Sequence, residues 1–97
     1  MEFIMTICDI WFDSKIGFVI VGTNPEITHD NTSKLCRLGE KIVIVDEVES
    51  LTFKVRDIEL SSSSWGGDVP NIGLVLDDSS DLNKIKIGDK VYKRVLS

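Results

Sequence analysis

The residues that could perform acid–base or metal chemistry in this chain are few and scattered. His29 is the only histidine, and any catalytic triad or multi-histidine metal site around it would need partners that the chain lacks. Asp77, Asp78 and Asp81 lie close together in DDSSD, but this stretch lacks the glycine and distal glutamate of an EF-hand loop and is typical of a solvated turn. GxSxG, HExxH, paired CxxC and GxxxxGK[ST] motifs are all absent. The sequence therefore predicts a protein that is not an enzyme and has no catalytic residue, metal site or cofactor.

Cys8 and Cys36 are the only cysteines. We interpret both as structural thiols, because a reducing cytoplasm keeps cysteines unpaired and a free cysteine in an apolar run packs as a small hydrophobic residue. The longest apolar runs, such as GFVIVG, are far shorter than the roughly 20 residues needed to cross a bilayer. The start, MEFIMTICDIWFD, lacks the cationic region of a secretory signal. We expect a cytoplasmic protein with no membrane association.

Two sets of aromatic residues are candidates for binding. Trp11 and Phe12 are adjacent, so on a strand they point to opposite faces, and we expect one in the core and the other facing a loop or a partner. Trp65 stands in SSSSWGGDVPN, residues 61–71. Its indole either packs on the rim of the fold or is exposed as a binding anchor, and we favour the rim because single exposed aromatic residues are common.

Length and charge limit the possible partners. The chain has 97 residues and a net charge of -5, from 16 acids and 11 bases. This length predicts one domain, since division at the serine run would leave a C-terminal piece too small for its own core. The negative charge disfavours nucleic acid, tRNA included, because phosphate binding depends on lysine and arginine. A basic protein would instead be attracted, and we expect a monomer that binds a protein partner.

Short β-branched runs between turn residues recur along the chain, and helical periodicity is almost absent, so the fold class is all-β. The run KIVIVDE is apolar on both faces, which predicts a strand covered on both sides. Residues 23–34 form the longest stretch without strand character and read as an inserted loop. Six strands are expected in a closed barrel or a sandwich, at about 3–12, 16–23, 40–46, 51–60, 71–77 and 88–96.

The fourth of these runs, LTFKVRDIEL, contains a phase slip. Its apolar residues are Phe53 and Val55, then Ile58 and Leu60, so the alternation shifts by one residue at Arg56-Asp57. A β-bulge at that point would put all four apolar side chains on the inner face. The slip thus favours a strand that bends, as strands of closed barrels do.

Three blocks give the chain a resemblance to a known family. They are DIWFDSKIGFVIVG at 9–22, LCRLGEKIVIV at 35–45, and a third that runs from VRDIEL through GGDVPNIGLVLDD to IKIGDKVYK. In this order they resemble the second, β-barrel domain of translational GTPases such as elongation factor Tu, here as a stand-alone domain without the G domain. The resemblance implies a closed six-stranded barrel, in which SSSSWGGDVPN joins two strands and is not a linker.

In that family the barrel helps to hold the aminoacylated end of tRNA, and the matching positions here are Asp9, Trp11 and Glu59. The match has departures: Cys8 replaces an acid, Trp11 replaces a phenylalanine, and the loop at 23–34 is longer. We expect a non-catalytic binding module that docks a protein or ribonucleoprotein partner through Asp9, Trp11, Glu59 and Trp65. The alternative is a small acidic inhibitor, of immunity or antitoxin type, that binds a basic toxin or nuclease.

Overall fold

The structure is a computed structural model that describes residues 1–28, 35–61 and 69–94. The six predicted strands are confirmed, with ends that differ by a few residues and a last strand that is shorter than expected. They are β1 (Glu2–Asp13), β2 (Gly17–Thr23), β3 (Lys41–Val45), β4 (Ser50–Ser61), β5 (Asn71–Leu76) and β6 (Lys90–Lys93), with a single 3-10 turn at Leu82–Lys84 between the last two. The described residues include no helix that is long and apolar enough to cross a membrane.

The strands form one antiparallel sheet that closes on itself. The order around the ring is β1-β2-β5-β4-β3-β6, a closed barrel, and β6 closes it by pairing with both β1 and β3. Strand β4 is long enough to pair first with β3, through residues 50–54, and then with β5, through residues 55–61. The all-β prediction is confirmed, and closure of the sheet decides between the barrel and the sandwich.

The core fills the inside of the ring with branched aliphatic side chains contributed by every strand. Its fully buried members include Ile4, Ile7, Ile20, Ile42, Val55, Ile72, Leu74 and Val91. In β3, Ile42, Val43 and Ile44 are all buried, although consecutive residues of a strand point to opposite faces. The prediction that KIVIVDE is covered on both sides is therefore confirmed.

The predicted bulge lies at Arg56. Val55 pairs with Leu76 and Asp57 with Val75, so Arg56 is the extra residue of β4. The bulge keeps the apolar residues on both sides of it facing the core, and the two that follow it are half-buried. The buried pair before the bulge is Phe53 and Val55, and the half-buried pair after it is Ile58 and Leu60.

Strand β1 has a bulge that the sequence analysis missed. Ile7 pairs with Gly22 and Asp9 with Val21, so Cys8 is the extra residue, and a further irregularity against β6 lies between Phe3 and Met5. The bulge leaves Cys8 exposed, so the expectation that it packs as a small hydrophobic residue was wrong. Cys36 is buried in the core cluster, as expected.

The expectation that Trp11 or Phe12 enters the core was also wrong. Trp11 is 41% exposed and Phe12 is 68% exposed. Strand β6 pairs with β1 only between Glu2 and Thr6, so the far end of β1 pairs with β2 alone among the described strands. Phe12 points toward the inner side of the sheet. It stays exposed because, among the described residues, β1 has a paired strand on only one edge at this point.

The segment SSSSWGGDVPN joins neighbouring strands. Ser61 ends β4, Asn71 begins β5, and these two residues pair with each other. The segment is therefore a connection within one sheet, as the sequence analysis expected, and not a linker. Trp65 lies outside the described residues, as do His29 and the second half of the predicted inserted loop, residues 29–34.

Candidate binding surface

Two rows of side chains lie next to each other on the outer surface of β1, β2, β5 and β4. Residues directly opposite each other in antiparallel strands project from the same face, so the register fixes the members of each row. We call these eight residues the outer face. One row is Asp9, Val21, Gly73 and Glu59, and the next is Trp11, Val19, Val75 and Asp57.

The outer face brings together three of the four predicted binding residues. Asp9 and Trp11 are two positions apart on β1, on the same side of that strand. Glu59 stands at the opposite end of the row of Asp9, three strand spacings away. With a spacing of about 4.8 Å between strands, this is roughly 14 Å along the sheet. The fourth, Trp65, lies outside the described residues.

The middle of the outer face is small and apolar. Val19 and Val75 lie side by side and are only 4% and 5% exposed, values typical of a core although both point away from it. Gly73 has no side chain, and a Cβ atom there would lie 3.8 Å from Glu59 Cβ and 3.9 Å from Val19 Cγ1. Because these central residues are small, the larger side chains on β1 and β4 project beyond them.

The projecting side chains on β1 and β4 are one indole and three carboxylates. Trp11 is on the β1 side with Asp9, and Asp57 and Glu59 are on the β4 side. The three acids are exposed, and no cation among the described residues forms an ion pair with them. Their charges therefore face solvent and are available to a cationic partner.

Both bulges orient an aspartate of the outer face. Asp9 follows the extra residue of β1, and its Oδ1 accepts a hydrogen bond of 2.9 Å from the backbone N–H of Ile10. Asp57 follows the extra residue of β4, and its Oδ1 accepts a 2.9 Å hydrogen bond from the N–H of Ile58. One oxygen of each carboxylate is thus held by the backbone, and the structure gives the other oxygen no partner among the described residues.

Asp57 is the functional candidate that sequence reasoning missed, although a signal was present. The stretches ICDI at 7–10 and VRDI at 55–58 share an aliphatic residue, a variable residue, an aspartate and an isoleucine. In each, the two aliphatic residues face inward across a bulge and the aspartate points outward. A search for this repeated pattern would have found the second bulge and the second aspartate.

The chain places one of its own arginines beside the outer face. The Arg56 guanidinium donates a hydrogen bond to the carbonyl oxygen of Ile16 in the turn between β1 and β2. It passes over Gly17, where a Cβ atom would meet the guanidinium and would lie 3.6 Å from Val75 Cγ1. Gly17 also has φ of +115°, a conformation that favours glycine. The Arg56 side chain therefore extends from the bulge across β5 to the turn between β1 and β2.

Other parts of the barrel offer fewer features for recognition. A groove of about 610 Å³ lies between residues 45–48 and residues 86–90, where it carries the exposed side chains of Val48 and Ile87. In the DDSSD stretch, Asp81 forms an ion pair of 3.2 Å with Lys84. The described residues contain no group of three or more histidine, cysteine or acidic side chains that could hold a metal.

No protein-family model matches the sequence, and no curated protein or solved structure matches it. The functional inference therefore rests on the residues of the outer face. The exposed indole of Trp11 supplies apolar contact area, and the carboxylates, which are unpaired among the described residues, supply charge recognition.

Proposed function

We propose that this protein is a non-catalytic binding module with a barrel of the translation-factor type, and that it docks a protein or ribonucleoprotein partner through the outer face. One observation carries the proposal. The family resemblance had selected Asp9, Trp11 and Glu59 one by one, and all three point outward in the register: Asp9 and Trp11 are neighbours on β1, and Glu59 on β4 ends the row of Asp9. Tryptophan is enriched among the residues that dominate binding energy at protein interfaces.

The exposure of Trp11 supports its role as an anchor. Trp11 lies beside the buried Val19 and leaves 41% of its surface exposed, so part of the indole is open to a partner. A partner that covers the indole would gain apolar burial there, and the carboxylates would set its orientation. An exposed aromatic side chain beside charged groups is a combination found in protein interfaces.

The chain offers a matched pair of variants to test the proposal. Trp11→Ala removes the aromatic side chain from the outer face, and Phe12→Ala removes the neighbouring exposed aromatic side chain that points to the other side of β1. We expect tagged wild-type protein and Phe12→Ala to recover the same partner from a lysate of the native host, with about tenfold less recovery by Trp11→Ala. Urea denaturation of both variants checks that they are folded. Equal recovery by the two variants would contradict the proposal.

The three carboxylates of the outer face support a second candidate function, a small acidic inhibitor of a basic toxin or nuclease. Opposite charges accelerate association and select a basic partner. The same capture experiment distinguishes the two candidates through the identity of the partner. Recovery of a basic nuclease whose activity falls when the protein is added supports the inhibitor, and recovery of a translation or ribosome-assembly component supports the first proposal.

A further inference from the structure

We propose that the outer face binds an extended basic segment of its partner and recognises two arginine side chains four residues apart in that segment. This inference rests on the proposed function, because it takes the outer face to be the docking surface. It adds the chemistry of the partner, which the proposed function leaves open.

The first arginine position is formed by Asp9 and Trp11. Side chains two positions apart on one face of a strand stand roughly 7 Å from each other. A guanidinium stacked on the exposed indole lies within the distance of a cation–π contact and can donate hydrogen bonds to the Asp9 carboxylate. Arginine suits this position better than lysine, because its planar group both stacks on a ring and binds a carboxylate with two N–H groups.

The second position is formed by Asp57 and Glu59, which have the same two-residue spacing on β4. It lies three strand spacings from the first, or roughly 14 Å. An extended peptide advances about 3.4 Å per residue and alternates its side chains, so residues i and i+4 are about 14 Å apart and point to the same side. A segment that crosses β2 and β5 over the half-buried Val21 and Gly73, which lie between Asp9 and Glu59, can therefore present one arginine to each position.

Arg56 shows that this part of the surface accommodates a guanidinium. It lies over Gly17, next to Val75 at the edge of the outer face, and donates to a backbone carbonyl. It is not ion-paired with Asp9, Asp57 or Glu59 among the described contacts. The chain's own arginine therefore leaves the three carboxylates to an external cation.

The first test uses fluorescence from Trp11. The chain has two tryptophans, so Trp65→Phe leaves Trp11 as the only indole. This variant is titrated with a nine-residue glycine–serine peptide that carries arginines at its third and seventh positions, and with two control peptides. One control has the arginines two residues apart, and the other has citrulline, which is uncharged and similar in shape, at both positions. We expect saturable quenching that weakens about 2- to 5-fold for each arginine replaced or misplaced.

The second test assigns the contacts to residues. Asp9→Asn and Glu59→Gln should each weaken binding of the arginine peptide about 2- to 5-fold. Glu47→Gln is the matched control, because it makes the same change in charge at an exposed residue of the turn between β3 and β4. It should leave binding unchanged, and the losses caused by Asp9→Asn and Glu59→Gln should both shrink at high salt.

Several results would overturn this inference. They are equal binding of the arginine and citrulline peptides, equal effects of Glu59→Gln and Glu47→Gln, no saturable change at millimolar peptide, or tighter binding of a single-stranded oligonucleotide than of the peptide. If capture of the partner still depends on Trp11 in those cases, the arginine inference is wrong and the binding module stands. If the peptide binds as expected but capture does not depend on Trp11, the proposed function is wrong.

Discussion

At the scale of single residues, the two cysteines show how the surroundings decide reactivity. Cys36 is buried, and burial, followed by the nearby charge of Glu40, raises the pKa of its thiol to about 11. Cys8 is exposed by the bulge of β1. Since the thiolate is the reactive form, only Cys8 should react quickly with iodoacetamide at pH 8. Mass spectrometry should find one modified thiol per native chain and none in Cys8→Ser, while labelling of unfolded wild-type protein should modify both. Rapid loss of both thiols in native protein would contradict this prediction.

The same shift makes stability depend on pH. The pKa of the Cys36 thiol rises from its ordinary 9.0 to about 11 on folding, so above the lower value the unfolded chain ionises while the folded chain stays protonated. The free energy of unfolding should therefore be unaffected by this group below pH 9 and should fall between pH 9 and 11. Urea denaturation across this range measures it. Because lysine and tyrosine also titrate there, the test is the difference from Cys36→Ala, which should lack this component of the pH dependence.

At the scale of elements, the bulge in β4 keeps both halves of that strand facing the core. Insertion of one serine between Asp57 and Ile58 would turn Ile58 and Leu60 toward solvent, because successive residues of a strand point to opposite faces. Loss of these two half-buried side chains should destabilise the protein by about 2–4 kcal/mol. Arg56→Ala keeps the bulge and loses the hydrogen bond to Ile16, so it should cost only about 0.5–1.5 kcal/mol. Urea unfolding followed by circular dichroism compares the two, and equal losses would show that the bulge does not set the register.

The sequence predicted the bulge in the strand where apolar and polar residues alternate clearly, and it did not predict the bulge in the strand where they do not. In β4, polar residues separate the apolar ones, so the phase slip at Arg56 was visible. In β1, the stretch FIMTI before Cys8 has apolar residues at both odd and even positions. A shift of one residue in the alternation therefore cannot be recognised there. The exposure of Phe12 depends on how far β6 extends along β1, and pairing between distant strands cannot be inferred from local pattern. The burial of Val19 and Val75 on the outer side has the same non-local origin.

The connection between β4 and β5 gives a prediction about Trp65. Fixing a loop costs roughly 1–2 kcal/mol of backbone entropy per residue, which an indole packed on the barrel rim would help to offset. If Trp65 covers the rim, as we favour, Trp65→Ala should lower the free energy of unfolding by about 1–3 kcal/mol through lost burial. If Trp65 is a binding anchor, stability should stay within about 0.5 kcal/mol of wild type. Chemical denaturation distinguishes these outcomes, and an unchanged midpoint would contradict the rim assignment and make Trp65 a candidate contact residue.

At the scale of the whole molecule, the negative charge favours binding of a basic protein over binding of nucleic acid. The net charge is -5, and three of the acids stand on one surface without an ion pair among the described residues. A field of this sign attracts basic proteins and repels phosphate. The proposed translation-factor type would use this surface for tRNA, but the surface carries a charge that opposes tRNA.

This conflict between resemblance and charge leads to a prediction about tRNA. We expect filter binding at physiological salt to give no submicromolar dissociation constant, because affinity for nucleic acid comes mainly from lysine and arginine contacts to phosphate. A variant with Asp9→Lys, Asp57→Lys and Glu59→Lys raises the net charge by two for each replacement and places three cations on the outer face. It should gain tRNA binding that weakens steeply as salt increases, while the same replacements should reduce capture of a basic partner. Submicromolar binding of tRNA by the wild-type protein would show instead that the resemblance, and not the charge, identifies the partner.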